Sequence, residues 1–263
     1  MNIDRGVIHS LAKQNGYPPW EVVRLKSEGW ALRNPNAPGF ILHLGSKTSE
    51  VVRKLILNPS HHTTYAHFLE AAERVVPADS LEQATLTRID FAVDYQAPLR
   101  LVLEGLDVRN KRADTAYTSS SGQATGLRIG KAPETIVVYD KANEAGLSGD
   151  LTRIEYQLSK SRVPQVNAYD LRQHVEKIAT AVAEVRLSSI TFHAAPKHSL
   201  GAHDRLMELK SLVRSRGLFH ARQELNQRRN FSRDFEHLFK TLSWSEQPKD
   251  VLIRDTSKLF NLV

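Results

Sequence analysis

Apolar and polar residues alternate in two short segments of the chain, and this alternation predicts two half-buried β-strands. Residues 87–94 read Thr-Arg-Ile-Asp-Phe-Ala-Val-Asp, and residues 152–158 read Thr-Arg-Ile-Glu-Tyr-Gln-Leu. Because successive side chains of a strand point to opposite faces, each segment has one apolar face and one polar face. The polar faces carry the carboxylates of Asp90, Asp94 and Glu155. The pattern therefore predicts acidic groups on two similar strands.

Other segments carry strand or helix signals of their own. Residues 40–44 are mostly apolar and end at a Gly-Ser pair, which predicts a short buried strand. Residues 126–130 and 135–139 predict the two strands of a hairpin. Apolar residues recur at helical spacing in residues 65–76, which precede a proline, and in residues 171–185. Strands and helices are therefore expected in the same region of the chain.

Three segments have weaker signals. Residues 1–39 read as irregular, residues 96–125 read as a long loop, and the chain after Pro196 reads as helical throughout. The order of the elements predicts an α+β fold, in which a mainly antiparallel central sheet is flanked by helices and followed by a basic helical C-terminal region. We expect three segments, an irregular one at 1–39, an α+β domain at 40–190 and a helical region at 197–263.

The composition excludes several kinds of chemistry. Of the 263 residues, 41% are hydrophobic and 25% are charged, and none is cysteine. Without cysteine the chain has no disulfide, no thiolate zinc site and no cysteine nucleophile. The first residues lack the apolar run of a signal peptide, and no later stretch looks able to span a bilayer. We expect a cytoplasmic protein with no membrane partner.

Positive charge exceeds negative charge and is concentrated in one segment. The chain carries 36 Lys and Arg against 29 Asp and Glu, and residues 197–240 hold ten of the basic residues against five acidic ones. Clustered positive charge favours a polyanion, most simply nucleic acid, because phosphate contacts release counterions. A solvated basic helical face explains the charge equally well. The candidate DNA-binding residues are Arg128, Lys131, Arg214, Arg216, Arg222, Arg228, Arg229 and Arg233.

The carboxylates of the two acidic strands suit a divalent metal. Oxygen ligands on a rigid sheet match the preferences of Mg²⁺ and Mn²⁺, which leave positions for water and a phosphate oxygen. A metal held by Asp90, Asp94 and Glu155 would polarise a phosphodiester and stabilise its developing charge. Alternatively, the face is solvated and its carboxylates pair with Arg88 and Arg153. The pattern leaves both interpretations open.

Tyr139, at the end of the second hairpin strand, is a candidate nucleophile toward a phosphodiester. A free phenol has a pKa of about 10, so it needs a nearby cation such as Lys141, Arg128 or the metal to favour phenolate. Alternatively, Tyr139 closes the core and Asp140 caps the next turn. Tyr117, in the predicted loop, is the other candidate nucleophile.

The remaining tyrosines and the histidines are weaker candidates. Tyr95 and Tyr156 fall on the apolar faces of their strands, and Tyr65 falls on the apolar side of its helix. No histidine has acidic or cysteine partners at the spacing of a metal site. The chain also lacks the His-apolar-His motif of many DNA-nicking enzymes, so we expect surface or structural roles for the histidines.

Three motifs in this order resemble the replication initiation factor family. They are Thr-Arg-Ile-Asp-x-x-x-Asp at 87–94, Ile-Gly-x(5)-Ile-Val-Val-Tyr-Asp-Lys-x-x-Glu at 129–144 and Thr-Arg-Ile-Glu-x-x-Leu at 152–158. The family comprises the Rep-trans rolling-circle initiators of plasmids and filamentous phages, with related conjugative relaxases. The resemblance covers about residues 40 to 190 and implies that this segment is a nicking domain.

The resemblance implies a metal-dependent cut-and-join reaction on DNA in a bacterial host cell. A tyrosine attacks one strand at the replication origin, forms a 5′-phosphotyrosyl link and leaves a 3′-hydroxyl for a polymerase. Tyr139 matches the family's tyrosine, and Lys141 completes the same Tyr-Asp-Lys motif. Asp90 and Glu155 match the acidic residues that hold Mg²⁺ or Mn²⁺ in the family, and Asp94 is the third candidate ligand.

The resemblance also has departures and alternatives. The hairpin turn reads Gly-Lys-Ala-Pro at residues 130–133, whereas the family commonly has Gly-Ser-Arg-Ser-like residues there. A conjugative or integrative-element relaxase, or a DNA-binding protein without chemistry on the same scaffold, would carry the same outline. The chain has no helicase motor, so strand separation would need a host helicase. Whether it acts as a homodimer stays open.

Overall fold

The computed structural model describes residues 21–25, 29–33, 40–44, 54–73, 78–108, 113–118, 124–193, 200–226 and 239–262. The strands of this part of the chain are β1 (Glu21–Leu25), β2 (Gly29–Arg33), β3 (Phe40–Leu44), β4 (Lys54–Leu57), β5 (Arg88–Tyr95), β6 (Leu106–Val108), β7 (Ala113–Thr118), β8 (Ala124–Ile129), β9 (Glu134–Asp140), β10 (Thr152–Ser159), β11 (Val185–Phe192) and β12 (Phe239–Ser243). The helices are α1 (Tyr65–Glu73), α2 (Ala78–Gln83), α3 (Leu99–Gly105), α4 (Lys141–Ala145), α5 (Leu171–Thr180), α6 (Leu200–Asn226) and α7 (Pro248–Phe260). The fold is α+β, with antiparallel sheets and flanking helices, as the sequence predicts.

The candidate chemistry lies on a five-stranded antiparallel sheet with the strand order β5-β10-β9-β8-β7. The two acidic strands are β5 and β10, which pair directly, and the predicted hairpin is formed by β8 and β9. The side chains of β10 alternate strictly between buried and half-buried positions. The strand predictions and the hairpin prediction are therefore confirmed.

One face of this sheet is buried. Ile136, Val138, Ile154 and Tyr156 have no exposed surface, and helix α3 packs against β8 and β9. Full burial of one such side chain is worth about 1.5–3 kcal/mol. A slip of one residue between strands would turn these side chains toward the other face, so their burial specifies the strand register. The same register orders the residues of the opposite face.

A second sheet, of three strands, has the order β12-β11-β6. Helix α3 packs against β11 and α6, and α6 packs against β6. The helix α6 bends at Gly217, where φ is 80° and a Cβ atom would lie 2.3 Å from the carbonyl oxygen of Leu103. Both the left-handed φ and this close approach require glycine. Helix α3 thus packs against strands of both the five-stranded and the three-stranded sheet.

By its contacts the chain divides into two compact units. Unit 1 consists of Met1–Thr85, Val166–Arg172 and Ser257–Val263, and unit 2 consists of Leu86–Gln165 and Gln173–Thr256. Unit 1 contains a four-stranded antiparallel sheet with the order β1-β2-β3-β4. Both sheets described above belong to unit 2. The functional segmentation at 1–39, 40–190 and 197–263 stays a prediction.

Tyr65 organises part of unit 1. Its ring stacks on that of Phe260 with 4.1 Å between the ring centroids, and its hydroxyl donates to the carbonyl oxygen of Ala168 at 2.6 Å. Only 4% of Tyr65 is exposed, which confirms the prediction that it lies on an apolar stripe. Burial raises the pKa of this phenol above its ordinary value.

Three expectations about individual segments are wrong. Residues 1–39 include β1 and β2, residues 96–125 include α3, β6 and β7, and the mainly helical C-terminal region includes the strand β12. These elements have three to seven residues, too few for a clear periodicity. Tertiary packing stabilises them instead, since Val102 and Leu106 are fully buried and β12 pairs with β11.

The helix predicted over 171–185 ends at Thr180, and Val185 begins β11. Among the described residues, no helix combines the length and apolar character needed to cross a bilayer.

Candidate active site

The register of the five-stranded sheet places one residue from each strand in a single row. In order across the sheet, the row consists of Asp94, Arg153, Tyr139, Gly126 and Tyr117. Residues directly opposite each other on antiparallel strands project from the same face. We call this set the tyrosine row, and its face, opposite the buried one, the open face.

A second row lies two residues away along each strand. It consists of Ala92, Glu155, Val137, Arg128 and Thr115, again one residue from each of the five strands. Side chains two residues apart on one strand share a face. We call this set the glutamate row. The two rows together bring two tyrosines, two carboxylates and two arginines onto the open face.

The Tyr139 hydroxyl donates to the Oε2 atom of Glu155 over 3.3 Å. Tyr139 is half-buried, and this burial, with the negative charge of Glu155, raises the pKa of its phenol to about 12. The charge of Arg153 and a side-chain hydrogen bond from it act in the opposite direction. At neutral pH the phenol is therefore protonated, and it has a carboxylate in place to accept its proton.

Arg153 stands between Tyr139 and Asp94. Its Nε and Nη2 atoms donate to the two carboxylate oxygens of Asp94, both at 2.7 Å. This hydrogen bonding is the main cause that raises the pKa of Arg153 above its ordinary value. The sequence suggested Arg153 only as a partner of a carboxylate, not as the cation beside the tyrosine. A bidentate carboxylate holds a guanidinium in one orientation, so Asp94 positions Arg153 beside Tyr139.

The predicted metal ligands all have partners within the protein. Both oxygens of Asp90 accept hydrogen bonds from Arg88 at 2.6 Å, and Arg88 Nη2 also lies 3.9 Å from Glu155 Oε1. Gln157 donates to the same Oε1 atom at 2.6 Å. The pairing of carboxylates with Arg88 and Arg153, which the sequence offered as an alternative, is thus present. Within the described ranges, no group of three or more His, Asp or Glu side chains is arranged to hold a metal ion. The Mg²⁺ or Mn²⁺ site stays a prediction.

Tyr117 lies on strand β7 and reaches toward Tyr139. A Cβ atom placed on Gly126, which lies between them in the row, would come within 3.2 Å of Tyr117 Cδ2 and 3.3 Å of Tyr139 Cβ. The absence of a side chain at Gly126 therefore leaves room for the two tyrosines to approach each other. Tyr117 belongs to a strand and not to the predicted loop, and 39% of it is exposed.

Lys141 and Asp140 follow Tyr139 and begin helix α4. Asp140 is the N-cap, and its Oδ1 atom accepts from the backbone N–H of Asn143 at 2.9 Å. This confirms the capping role suggested by the sequence. Lys141 forms an ion pair with Glu144 one turn along the helix. The cation that acts on the Tyr139 hydroxyl is Arg153, and the catalytic role of Lys141 stays a prediction.

The predicted DNA-binding residues occupy different environments. Arg128 is half-buried in the glutamate row, and Lys131 is exposed in the hairpin turn. On helix α6, Arg214 is exposed, Arg216 pairs with Glu224 at 3.0 Å, and Arg222 pairs with Asp107 at 2.5 Å. The other three residues lie outside the described part of the chain; they are Arg228, Arg229 and Arg233. A role in DNA binding stays a prediction for all eight.

Neither a protein-family model nor a curated protein sequence matches the chain. Among solved structures, it is similar to a rolling circle replication initiator protein from Geobacillus stearothermophilus, with 15% sequence identity and a TM-score of 0.37. The similarity covers 73% of this chain and 80% of that chain. A likeness at this identity and TM-score carries no conclusion about the site or its chemistry.

Proposed function

We propose that the chain is a rolling-circle replication initiator that nicks one DNA strand with Tyr139 as the nucleophile. The observation that carries the proposal is the contact of the Tyr139 hydroxyl with Glu155, beside Arg153 and on the open face of the sheet. A nucleophile, a proton acceptor and a cation are thus adjacent, which is the arrangement that activation of a phenol needs. The order of the three sequence motifs adds independent support.

The reaction follows from the roles of these three side chains. Glu155 accepts the phenolic proton while the Tyr139 oxygen attacks phosphorus, and the bond between phosphorus and the 3′-oxygen breaks. The products are a 5′-phosphotyrosyl link and a 3′-hydroxyl, which takes up the proton that Tyr139 lost. Arg153 stabilises negative charge on the phenol oxygen and on the phosphate. Because a phosphodiester bond is exchanged and not hydrolysed, the step is reversible and permits rejoining.

We also propose a divalent cation, Mg²⁺ or Mn²⁺, as part of this site. The carboxylates of Asp90 and Glu155 supply the hard oxygen donors that these cations prefer. Both carboxylates attract the positive charge of Arg88, so a cation would be favourable at the same place. Asp94 is the third predicted ligand, and both of its oxygens are used by Arg153. When bound, the cation would supply Lewis-acid polarisation of the scissile phosphate.

DNA binding in this proposal comes from basic residues around the sheet and on helix α6. Phosphate contacts by exposed residues such as Lys131 and Arg214 would supply affinity without sequence specificity. A host helicase would separate the strands after nicking.

The proposal is tested by formation of a covalent protein–DNA adduct. The full chain is incubated with Mn²⁺ and supercoiled or single-stranded DNA from its own replicon, and the products are resolved on a denaturing protein gel. We expect an adduct with the wild type and none with Tyr139→Phe. Removal of the metal with a chelator should also abolish the adduct.

Two other outcomes would change the proposal in defined ways. An adduct that persists in Tyr139→Phe would move the nucleophile, with Tyr117 as the next candidate. DNA binding without any adduct, in the presence of either metal, would replace the enzyme with a DNA-binding protein on the same scaffold.

A further inference from the structure

Tyr117 is an exposed aromatic residue beside the proposed nucleophile. Among the described residues, the large apolar side chains with substantial exposure are Ile56, Leu101, Tyr117, Leu147, Met207 and Leu242, and Tyr117 is the aromatic one. It lies in the tyrosine row, two strands away from Tyr139. Strand spacing places the two backbones about 10 Å apart.

The absence of a side chain at Gly126 determines where the ring of Tyr117 lies. Its Cδ2 atom and Tyr139 Cβ both lie within 3.3 Å of the point that a Gly126 side chain would occupy. The ring therefore lies across Gly126, with part of its surface against the sheet and part open to solvent. A flat aromatic surface held in this way next to the Cβ atom of Tyr139 is suited to a planar ligand group.

We propose that Tyr117 is a stacking platform for the nucleobase adjacent to the scissile phosphate. The inference rests on the proposed function, which places a phosphate at Tyr139. Every base has an aromatic face, so stacking on tyrosine orients a single strand without requiring one sequence. Tyr117 would be a positioning residue that orients the strand, whereas Tyr139 performs the chemistry.

The charges of the open face favour nucleic acid as the ligand. Arg128 lies in the glutamate row directly opposite Thr115, two residues before Tyr117 on β7, so the arginine and the aromatic ring are neighbours on one face. An arginine beside an exposed aromatic ring matches a nucleotide, which offers a phosphate and a base together. Arg153, on the other side of Tyr139, lies in line with both tyrosines in the row.

Binding is measured without the reaction. The probe is a short oligothymidylate with 2-aminopurine at one internal position, whose fluorescence is quenched when it stacks on an aromatic ring. All proteins carry Tyr139→Phe, so that no covalent bond forms and affinity is an equilibrium quantity. Tyr117→Ala should weaken binding about tenfold and remove the quenching, whereas Tyr117→Phe, which keeps the ring, should change neither by more than about twofold. Leu242→Ala, at a 74% exposed position on β12, is the matched control and should behave as the parent.

Two results would overturn the inference. If Tyr117→Ala bound and quenched the probe as the parent does, no base would stack there. If Tyr117→Phe lost as much binding affinity and quenching as Tyr117→Ala, the hydroxyl and not the ring would make the contact. Thermal melting of each variant identifies loss of fold, and Tyr117→Phe provides a ring-preserving variant with the least risk of it.

The adduct assay separates this inference from the proposed function. Tyr117→Ala in the otherwise unchanged chain should lower the rate of Tyr139 adduct formation about tenfold at subsaturating DNA, and Leu242→Ala should leave that rate unchanged. An unchanged rate in Tyr117→Ala would overturn the platform role. If the wild type formed no adduct but the probe responded as expected, the reaction would be rejected and base stacking on Tyr117 would stand.

Discussion

The two faces of the five-stranded sheet are built from the same strands and contain similar residues, yet they differ in what those residues do. On the buried face, Tyr156 has no exposed surface and its hydroxyl has no hydrogen-bond partner in the described structure. On the open face, Tyr139 is half-buried and its hydroxyl reaches Glu155. Each face also has a glutamate, and Glu134 on the buried face is 5% exposed. The side of the strand, not the residue type, decides which tyrosine and which glutamate can take part in chemistry.

The surroundings of the two glutamates sharpen this comparison. Glu134 Oε1 accepts from the backbone N–H of Ala183 at 2.6 Å, and its Oε2 lies 3.4 Å from Arg162 Nη2. Its carboxylate thus joins separate parts of unit 2 and stabilises the fold. Glu155 instead contacts Tyr139 and Gln157, side chains of the open face. The first glutamate has a structural environment, and the second has an environment that a substrate can reach.

The largest expected difference is between the two tyrosines. Tyr139→Phe should lower adduct formation by about a thousandfold or more, because it removes the nucleophilic oxygen. Tyr156→Phe should leave adduct formation unchanged and leave stability unchanged or slightly higher, because it removes a buried hydroxyl that has no partner. Adduct yields from gels and unfolding curves in urea measure both quantities. Equal effects of the two substitutions would remove the distinction between the faces.

The two glutamates should separate activity from stability. Glu155→Gln should lower the rate of adduct formation about a hundredfold, because the amide cannot accept the phenolic proton. Glu134→Gln should leave the rate unchanged and lower the free energy of unfolding by about 2 kcal/mol, because a buried charge-assisted contact is weakened. Rates are compared at a temperature at which both variants are folded. A loss of activity in folded Glu134→Gln would assign that carboxylate a role beyond the fold.

The alternation along each strand was predictable, and it separated these residues correctly. Apolar and polar positions in residues 87–94 and 152–158 placed Tyr95 and Tyr156 inward and Glu155 outward, and the structure confirms this because burial dominates such segments. Apart from the hairpin of β8 and β9, the pairing of strands was not predictable. Arg153 lies opposite both Asp94 and Tyr139, which are 59 and 14 positions away along the chain, and no local pattern specifies which strands become neighbours.

Tyr117 illustrates a different reason why prediction from sequence fails. Its strand, β7, reads Ala-Asp-Thr-Ala-Tyr-Thr, which has no large aliphatic residue, and its pairing with β8 is irregular near both ends. Such a segment has the composition of a loop and becomes a strand through its backbone pairing. The same strand places Tyr117 beside Tyr139. A residue of the candidate site therefore lies in a segment whose sequence gives little indication of a strand.

Gly126 tests whether the approach of the two tyrosines depends on the missing side chain. In Gly126→Ala the new Cβ would lie 2.8 Å from the carbonyl oxygen of Val138 and 3.2 Å from Tyr117 Cδ2. Because the backbone atom cannot move freely, we expect a loss of about 1–2 kcal/mol in the free energy of unfolding and a displaced Tyr117 ring. Gly149→Ala is a control for the ring position: a Cβ there meets nothing within 4 Å but its φ of 95° strains the backbone, so it should lose stability without displacing the Tyr117 ring. Equal probe quenching by Gly126→Ala and the parent would mean that the ring position does not depend on Gly126.

The smallest expected effect is on the pH dependence of stability. The pKa of Tyr139 is raised from 10.0 to about 12, so the folded chain keeps this phenol protonated at a pH at which the unfolded chain ionises it. The stabilising contribution is therefore fully present below pH 10 and is lost as the pH rises toward 12. Relative to Tyr139→Phe, the melting temperature of the wild type should fall over this interval.

The same measurement separates the causes that raise the pKa of Tyr139 on the open face and of Tyr156 on the buried face. Burial also raises the pKa of Tyr156, but the negative charge nearest to Tyr139 belongs to Glu155. In a Glu155→Gln background, the part of the fall in melting temperature that is due to Tyr139 should become smaller. The part that is due to Tyr156 should not change. If Glu155→Gln altered neither, burial alone would set the pKa of Tyr139. The hydrogen bond to Glu155 would then contribute to the reaction through proton transfer and not through the resting state of the phenol.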